Sequence, residues 1–154
     1  MTPEGLVVGA GPTGVETAGA LSELIDVAIR HDRLRLDPDR TRVSLVNVQS
    51  RLLPGLNPWT SEYATRALRA SGVDLVLGAQ ISEVTTRGVR LADGRQLRAE
   101  VVIWVAGVTV SGTLASTLPT SVGGGGRVVV RADLSLGEHP EVFVVGDAAA
   151  VSPR

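Results

Sequence analysis

Gly9-Ala10-Gly11-Pro12-Thr13-Gly14 has the spacing G-x-G-x-x-G, and the chemistry that spacing suits is the binding of a pyrophosphate. Gly9 permits a tight turn, Gly11 lets the backbone approach phosphate oxygens with no Cβ in the way, and Gly14 lets the next helix pack close to the preceding strand. The helix start adds free N–H groups and partial positive charge. A tight structural turn without a ligand would use the same residues, so the flanking sequence matters. Leu6-Val7-Val8 precedes the turn as a short apolar run, as a buried parallel strand would. Val15, Ala18, Leu21, Leu24, Ile25 and Ala28 then recur at helical spacing.

A strand–turn–helix of this kind usually leads to a second strand ending in Asp or Glu, which accepts hydrogen bonds from the adenosine ribose of a dinucleotide. Here Val43–Val48 reads as that strand, and the position is Asn47. Asparagine can still bond a ribose, but it does not repel a 2′-phosphate. Arg51 is close enough in sequence to bind one, and it equally suits a solvated loop. The expected ligand is NAD(H), with NADP(H) possible.

Other chemistries find less support. There are no cysteines, which excludes disulfides, thiolate metal sites and cysteine redox chemistry. His31 and His139 lie far apart in polar surroundings and read as surface residues, so no metal site is expected. A formal net charge of −1 with both signs interspersed gives no bulk attraction to nucleic acid. The four glycines 123–126 could mimic a phosphate loop but lack a strand-to-helix context, and they read as a flexible linker. Trp59 and Tyr63, four apart on one helical face, are expected to pack onto a sheet. Neither a signal peptide nor a membrane span is legible.

The elements that must position these residues follow the same logic. At 44% hydrophobic and 20% charged, the 154 residues suit one globular domain, or one plus part of another. Residues 31–42, charged and with Pro38, read as a solvated connection. Asn57 caps a helix with Pro58 at its first position, and that helix stops at Gly72. Val73–Leu77 is a third strand. Ile81–Thr85, Val89–Leu91 and Gln96–Arg98 read as a meander with an Asp93-Gly94 hairpin turn. Val101–Val105, Arg127–Arg131 and Val142–Val145 are further strands.

Val7-Val8-Gly9-Ala10-Gly11-Pro12-Thr13-Gly14-Val15-Glu16-Thr17-Ala18-Gly19 closely resembles the nicotinamide-binding segment of type II NADH dehydrogenases. Arg51-Leu52-Leu53-Pro54, Trp104-Val105-Ala106-Gly107-Val108 and Val142-Phe143-Val144-Val145-Gly146-Asp147-Ala148-Ala149 agree in order. The resemblance implies an α/β fold. Residues 1–108 would be a Rossmann-like NAD(P)H-binding domain with a parallel sheet and an antiparallel β-meander, and residues 109–154 an incomplete FAD-domain segment. It implies that Glu16, on the first helical turn, orients the nicotinamide or tunes the flavin, although a carboxylate there also suits the helix dipole. It places Ala106 and Gly107 against the nicotinamide cofactor, although a plain strand-ending glycine reads as well. It places Gly146 and Asp147 at FAD, with Asp147 on the ribityl chain and a helix following; an ordinary helix cap is the plainer reading.

By that resemblance the chain is the middle of a longer flavoprotein, with an FAD fingerprint expected before Gly9 and membrane-holding helices after Arg154. The intact enzyme would pass hydride from NADH to FAD and on to a quinone, in the cytoplasm and peripherally on the cytoplasmic membrane. A partner chain or second copy would cover the strands of the partial FAD domain. The alternative is a free-standing NAD(H)-binding module without catalytic activity. A third reading is a degenerate frame that binds nothing well.

Overall fold

A computed structural model describes residues 4–31, 41–108, 123 and 126–151. The chain divides into two compact units, residues 1–106 and 107–154.

The first unit is built on a four-stranded parallel sheet. β1 (Glu4–Val8) runs into α1 (Pro12–Arg30), then come β2 (Arg42–Asn47), α2 (Pro58–Ala70) and β3 (Val73–Leu77). A meander of β4 (Ile81–Thr85), β5 (Gly88–Leu91) and β6 (Gln96–Arg98) precedes β7 (Val101–Trp104). The sheet order is β3-β2-β1-β7, with Val8 level with Val46 on one side and Trp104 on the other. The connections therefore step outward from β1 to β3, then return to the other side of β1. That reversal opens a crevice at the carboxyl ends of β1 and β7, where open α/β sheets bind ligands.

Leu6, Val7 and Val8 of β1 are all apolar because both faces of the strand are covered there. Val7 joins Val43, Leu45 and Val73 against Ala18, Ala64 and Leu68 of the helices. Leu6 and Val8 join Val46 against Ala79, Val89, Leu91 and Ala99 of the meander side. The unit is thus three layers, with helices, sheet and meander stacked in that order.

Caps and turns set the element ends. The Asn57 side chain accepts the Thr60 N–H at 2.8 Å, and Pro58 takes the first helical position of α2. Gly94 closes the hairpin by donating its N–H to the Leu91 carbonyl at 3.0 Å.

Several expectations are corrected. Leu24 is 63% exposed; its place on the buried face of α1 goes to Ser22, whose hydroxyl donates to the Ser71 carbonyl. Trp59 and Tyr63 do not pack on the sheet. They are 68% and 59% exposed and stack on each other with centroids 5.8 Å apart. The stripe of α2 that faces inward is Ser61, Ala64 and Leu68, which leaves Trp59 and Tyr63 on the solvent side. The 31–42 connection falls largely on residues 32–40, outside the described residues.

The second unit pairs β8 (Val128–Val130) with β9 (Ala149–Val151) in parallel. Val128, Val130, Leu136 and Val144 form its core. Val142–Val145 is not a strand, because only Phe143 pairs, in a single antiparallel bridge with Ser135. Val142 instead turns back, donating its N–H to the His139 carbonyl at 3.0 Å. Gly123 and Gly126 are tied by a hydrogen bond of 3.2 Å between the Gly126 N–H and the Gly123 carbonyl; glycines 124 and 125, and with them most of the expected linker, lie outside the described residues. His31 is exposed, and His139 meets Glu141 at 3.1 Å. Among the described residues no cluster of His, Cys, Asp or Glu could hold a metal, and no helix is long and apolar enough to cross a membrane.

Candidate functional site

The glycine-rich turn leaves β1 at its carboxyl end and enters α1. Gly9 sits at φ +109, a conformation that L side chains rarely adopt. A Cβ on it would lie 2.8 Å from the Ala106 Cα, so the chain at the end of β7 presses directly on the turn. A Cβ on Gly14 would meet the Gly9 carbonyl oxygen at 1.8 Å, which no rearrangement of a side chain could relieve. These two glycines are demanded by the protein's own packing.

Gly11 is different. Its φ of −73° and ψ of −178° are open to any residue, and a Cβ on it would meet nothing within 4 Å. It is the N-cap of α1, yet it offers no side chain to the helix start, and Pro12 follows in the first turn. The contrast with α2, where Asn57 satisfies a first-turn N–H, is direct. At α1 the N–H groups of Thr13 and Gly14 have no side-chain cap. Glycine at position 11 and bare amides beside it fit a pyrophosphate.

Asn47 closes the other side. Its Oδ1 accepts the Ala10 N–H at 3.3 Å, and its Nδ2 donates to the carbonyls of Gln49 at 3.3 Å and Arg51 at 3.5 Å. Arg51 folds back, its guanidinium donating to the Pro54 and Leu56 carbonyls, the latter at 3.2 Å. The cleft between these parts has a volume of about 230 Å³ and is lined by Gly9, Asn47, Val48, Gln80, Trp104 and Ala106 among others. No lining side chain carries a charge.

The structure thus brings together Gly9, Ala10, Gly11, Pro12, Thr13, Gly14, Asn47 and Ala106 at one end of the sheet, with Arg51 on the adjoining loop. Glu16 is exposed and lies beyond the first turn of α1, which holds no acidic residue. This is a correction, because a carboxylate one turn in gains little from the helix dipole. Gly107 (φ +95), Gly146 (φ +69) and Asp147 belong to the second unit and are exposed there. Asp147 sits in a three-residue 3-10 turn, Gly146–Ala148, that runs into β9. Among the described residues no helix follows it, and Ala149–Val151 pairs with β8 instead.

Sequence reasoning gave no site role to Leu53, Gln80 or Trp104, although Leu53 and Trp104 stand in motifs that carry the resemblance. Leu53 adopts φ +47 and donates its N–H to the Ala10 carbonyl at 2.8 Å; a left-handed leucine carries no local signal. Gln80 follows β3, and the rule that ligands gather at carboxyl ends of strands would have pointed to it.

The sequence pattern of the pyridine nucleotide-disulphide oxidoreductase family matches residues 2–154. The chain belongs to that family. Among its relatives is the type II NADH:quinone oxidoreductase Ndh of Mycobacterium tuberculosis, 36% identical over 152 residues that cover 94% of this chain and 33% of the relative. The type II NADH:quinone oxidoreductase of Staphylococcus haemolyticus is 32% identical over 151 residues, 96% of this chain and 37% of its own length. The chain thus spans about a third of the length of the curated relatives it matches. Among solved structures, NDH2 of Plasmodium falciparum in complex with NADH shares the fold at a TM-score of 0.81 and 18% identity, over 99% of this chain and 33% of that one. The α/β reading, with parallel sheet and antiparallel meander, and the likeness to type II NADH dehydrogenases hold.

Proposed function

We propose that the chain is the nicotinamide-binding part of an FAD-dependent NADH:quinone oxidoreductase. In this reading residues 1–108 form the NAD(H) domain and residues 109–154 a part of the FAD domain. The observation that carries it is Gly11, a glycine that the protein's own packing does not require, placed at the uncapped start of α1 beside the sheet's reversal point. The relatives named above support the same assignment.

In this reading the Gly11 backbone and the Thr13 and Gly14 amides hold the pyrophosphate, with Pro12 fixing the helix entry. Ala106, pressed against Gly9, sets the width of the cleft on the nicotinamide side. Glu16 and Gly107 act at the nicotinamide, while Gly146 and Asp147 act at FAD. FAD, when bound, would supply the hydride-accepting and electron-transfer chemistry between NADH and quinone. The enzyme containing this chain works peripherally on the cytoplasmic membrane, and a partner chain or second copy covers the strands of the second unit.

One observation favours the alternative for the chain by itself. Gly146–Ala148 leads into β9, so among the described residues no helix start follows Asp147 to receive a flavin pyrophosphate. The isolated chain is then an NAD(H)-binding module without catalysis. Calorimetric titration with NADH and flavin absorbance of the purified chain test both readings. Weak NADH binding and no retained flavin are expected. A yellow protein that oxidises NADH would refute the module reading, and no nucleotide binding at millimolar concentration would refute the site.

A further inference from the structure

Ala10, the middle residue of the first glycine pair, is held by both of its backbone groups. Its N–H donates to Asn47 Oδ1 at 3.3 Å, and its carbonyl accepts the Leu53 N–H at 2.8 Å. The partners are the last residue of β2 and a residue of the segment that follows it. Leu53 reaches Ala10 only by adopting φ +47, a conformation costly for leucine, and it keeps it with a buried side chain. Strain of this kind persists where the surrounding structure enforces it, and it concentrates at working sites.

Asn47 is equally committed. Its amide hydrogens point to the Gln49 and Arg51 carbonyls, 3.3 and 3.5 Å away. A carboxylate at this position could accept from Ala10 but would face those two carbonyls with no hydrogen to give. The loop is therefore shaped around a neutral donor, at a place where dinucleotide folds usually put an acid for the ribose. Arg51, on the adjoining loop, is turned onto the Pro54 and Leu56 carbonyls. Among the described residues, none that lines the cleft carries a charge that could read the 2′ position.

We propose that Asn47 is a positioning residue that clasps the glycine-rich turn through Ala10, and that the site in consequence takes nicotinamide dinucleotides with or without a 2′-phosphate at similar affinity. The clasp fixes the part of the site that meets the pyrophosphate, which the two cofactors share. This rests on the dinucleotide reading of the turn.

The test is calorimetric titration of the chain and of Asn47→Ala with NADH and with NADPH, beside amide hydrogen exchange read by NMR. The unsubstituted chain should bind the two cofactors within about fivefold of each other; a preference above about fiftyfold would overturn the proposal, since a pair of mispaired polar groups already gives such a ratio. In Asn47→Ala, with its fold checked by circular dichroism, both dissociation constants should rise by the same factor, about tenfold, as expected for a net loss near one hydrogen bond to a positioned group. Loss for NADH alone would make Asn47 a ribose ligand and overturn the clasp. Unchanged affinity with a lowered melting temperature would make it merely structural and overturn it too. The Ala10 and Leu53 amides should exchange slowly in the unsubstituted chain and faster in the variant. Exchange at random-coil rates in the unsubstituted chain overturns the clasp even if Asn47→Ala does not fold. Protected amides without binding of either cofactor would instead sink the dinucleotide reading and the proposal with it.

Discussion

Gly11→Ala separates ligand binding from folding. The new Cβ meets no protein atom within 4 Å, and the φ of −73° suits alanine. Alanine restricts the unfolded chain, a gain of about 0.4–1 kcal/mol. Glycine is preferred to alanine at an N-cap by a similar amount. The two offset, and stability should stay within about 0.5 kcal/mol by urea denaturation. Binding behaves differently. The methyl group occupies the space where phosphate oxygens must come within hydrogen-bond distance of the Gly11 backbone and the Thr13 and Gly14 amides. Hydrogen bonds to a charged group are worth about 1.5–3 kcal/mol each, so losing one weakens NADH roughly 10- to 150-fold. Calorimetric titration of the two proteins reads that difference directly. Equal NADH affinity in Gly11→Ala and the unsubstituted chain would refute the pyrophosphate assignment, because no structural role for Gly11 remains to explain it.

Three further perturbations act on stability. Gly14→Ala places a carbon 1.8 Å from the Gly9 carbonyl oxygen and should cost about 1–3 kcal/mol or more, seen as a lowered melting temperature, in contrast to Gly11→Ala. Asn57→Ala removes the acceptor for the Thr60 N–H and hydroxyl and should destabilise by about 1 kcal/mol in denaturant titration. Asp93 is held below the usual carboxylate range by the Arg95 backbone N–H and then by the Arg95 guanidinium. Its charge therefore supports the hairpin above its ordinary value of 3.8, and that support is lost as pH falls through the lowered value. Asp93→Asn should lose that support at neutral pH and match the unsubstituted chain once the pH has fallen through the lowered value, so that its stability depends less on acid in a pH series of denaturant titrations.

Local signals made much of this legible. Asn57-Pro58 and Asp93-Gly94 act through neighbours in sequence, and the three glycines of the turn are legible from their spacing even though Gly9 is demanded in part by distant Ala106. The strand Leu6-Val7-Val8 was legible because burial on both faces leaves no polar position. Long-range commitments were not legible. Asn47 looks like a ribose ligand until Ala10, thirty-seven residues earlier, is seen at its Oδ1. Leu53 looks like an ordinary apolar residue, and only its φ reveals a strained contact with the turn. Trp59 and Tyr63 misled because aromatic bulk suggests burial, while the facing stripe of small residues decides it. Val142–Val145 misled because an apolar run reads as a strand, although strand pairing needs a partner that extends alongside.

The placement of β7 beside β1 has a kinetic consequence. Gly5 pairs with Val101, so one wall of the cleft comes from the start of the unit and the other from its end. Pairing of this separation carries a large loop-closure cost and tends to be slow. A chain emerging from the ribosome can form the glycine-rich turn and α1 early, but the crevice has no second side until Val101–Trp104 has been made. Until then β1 presents an unpaired edge, open to another strand. Competence to bind would thus arrive late and all at once, and any truncation short of Val101 would yield a turn without a cleft.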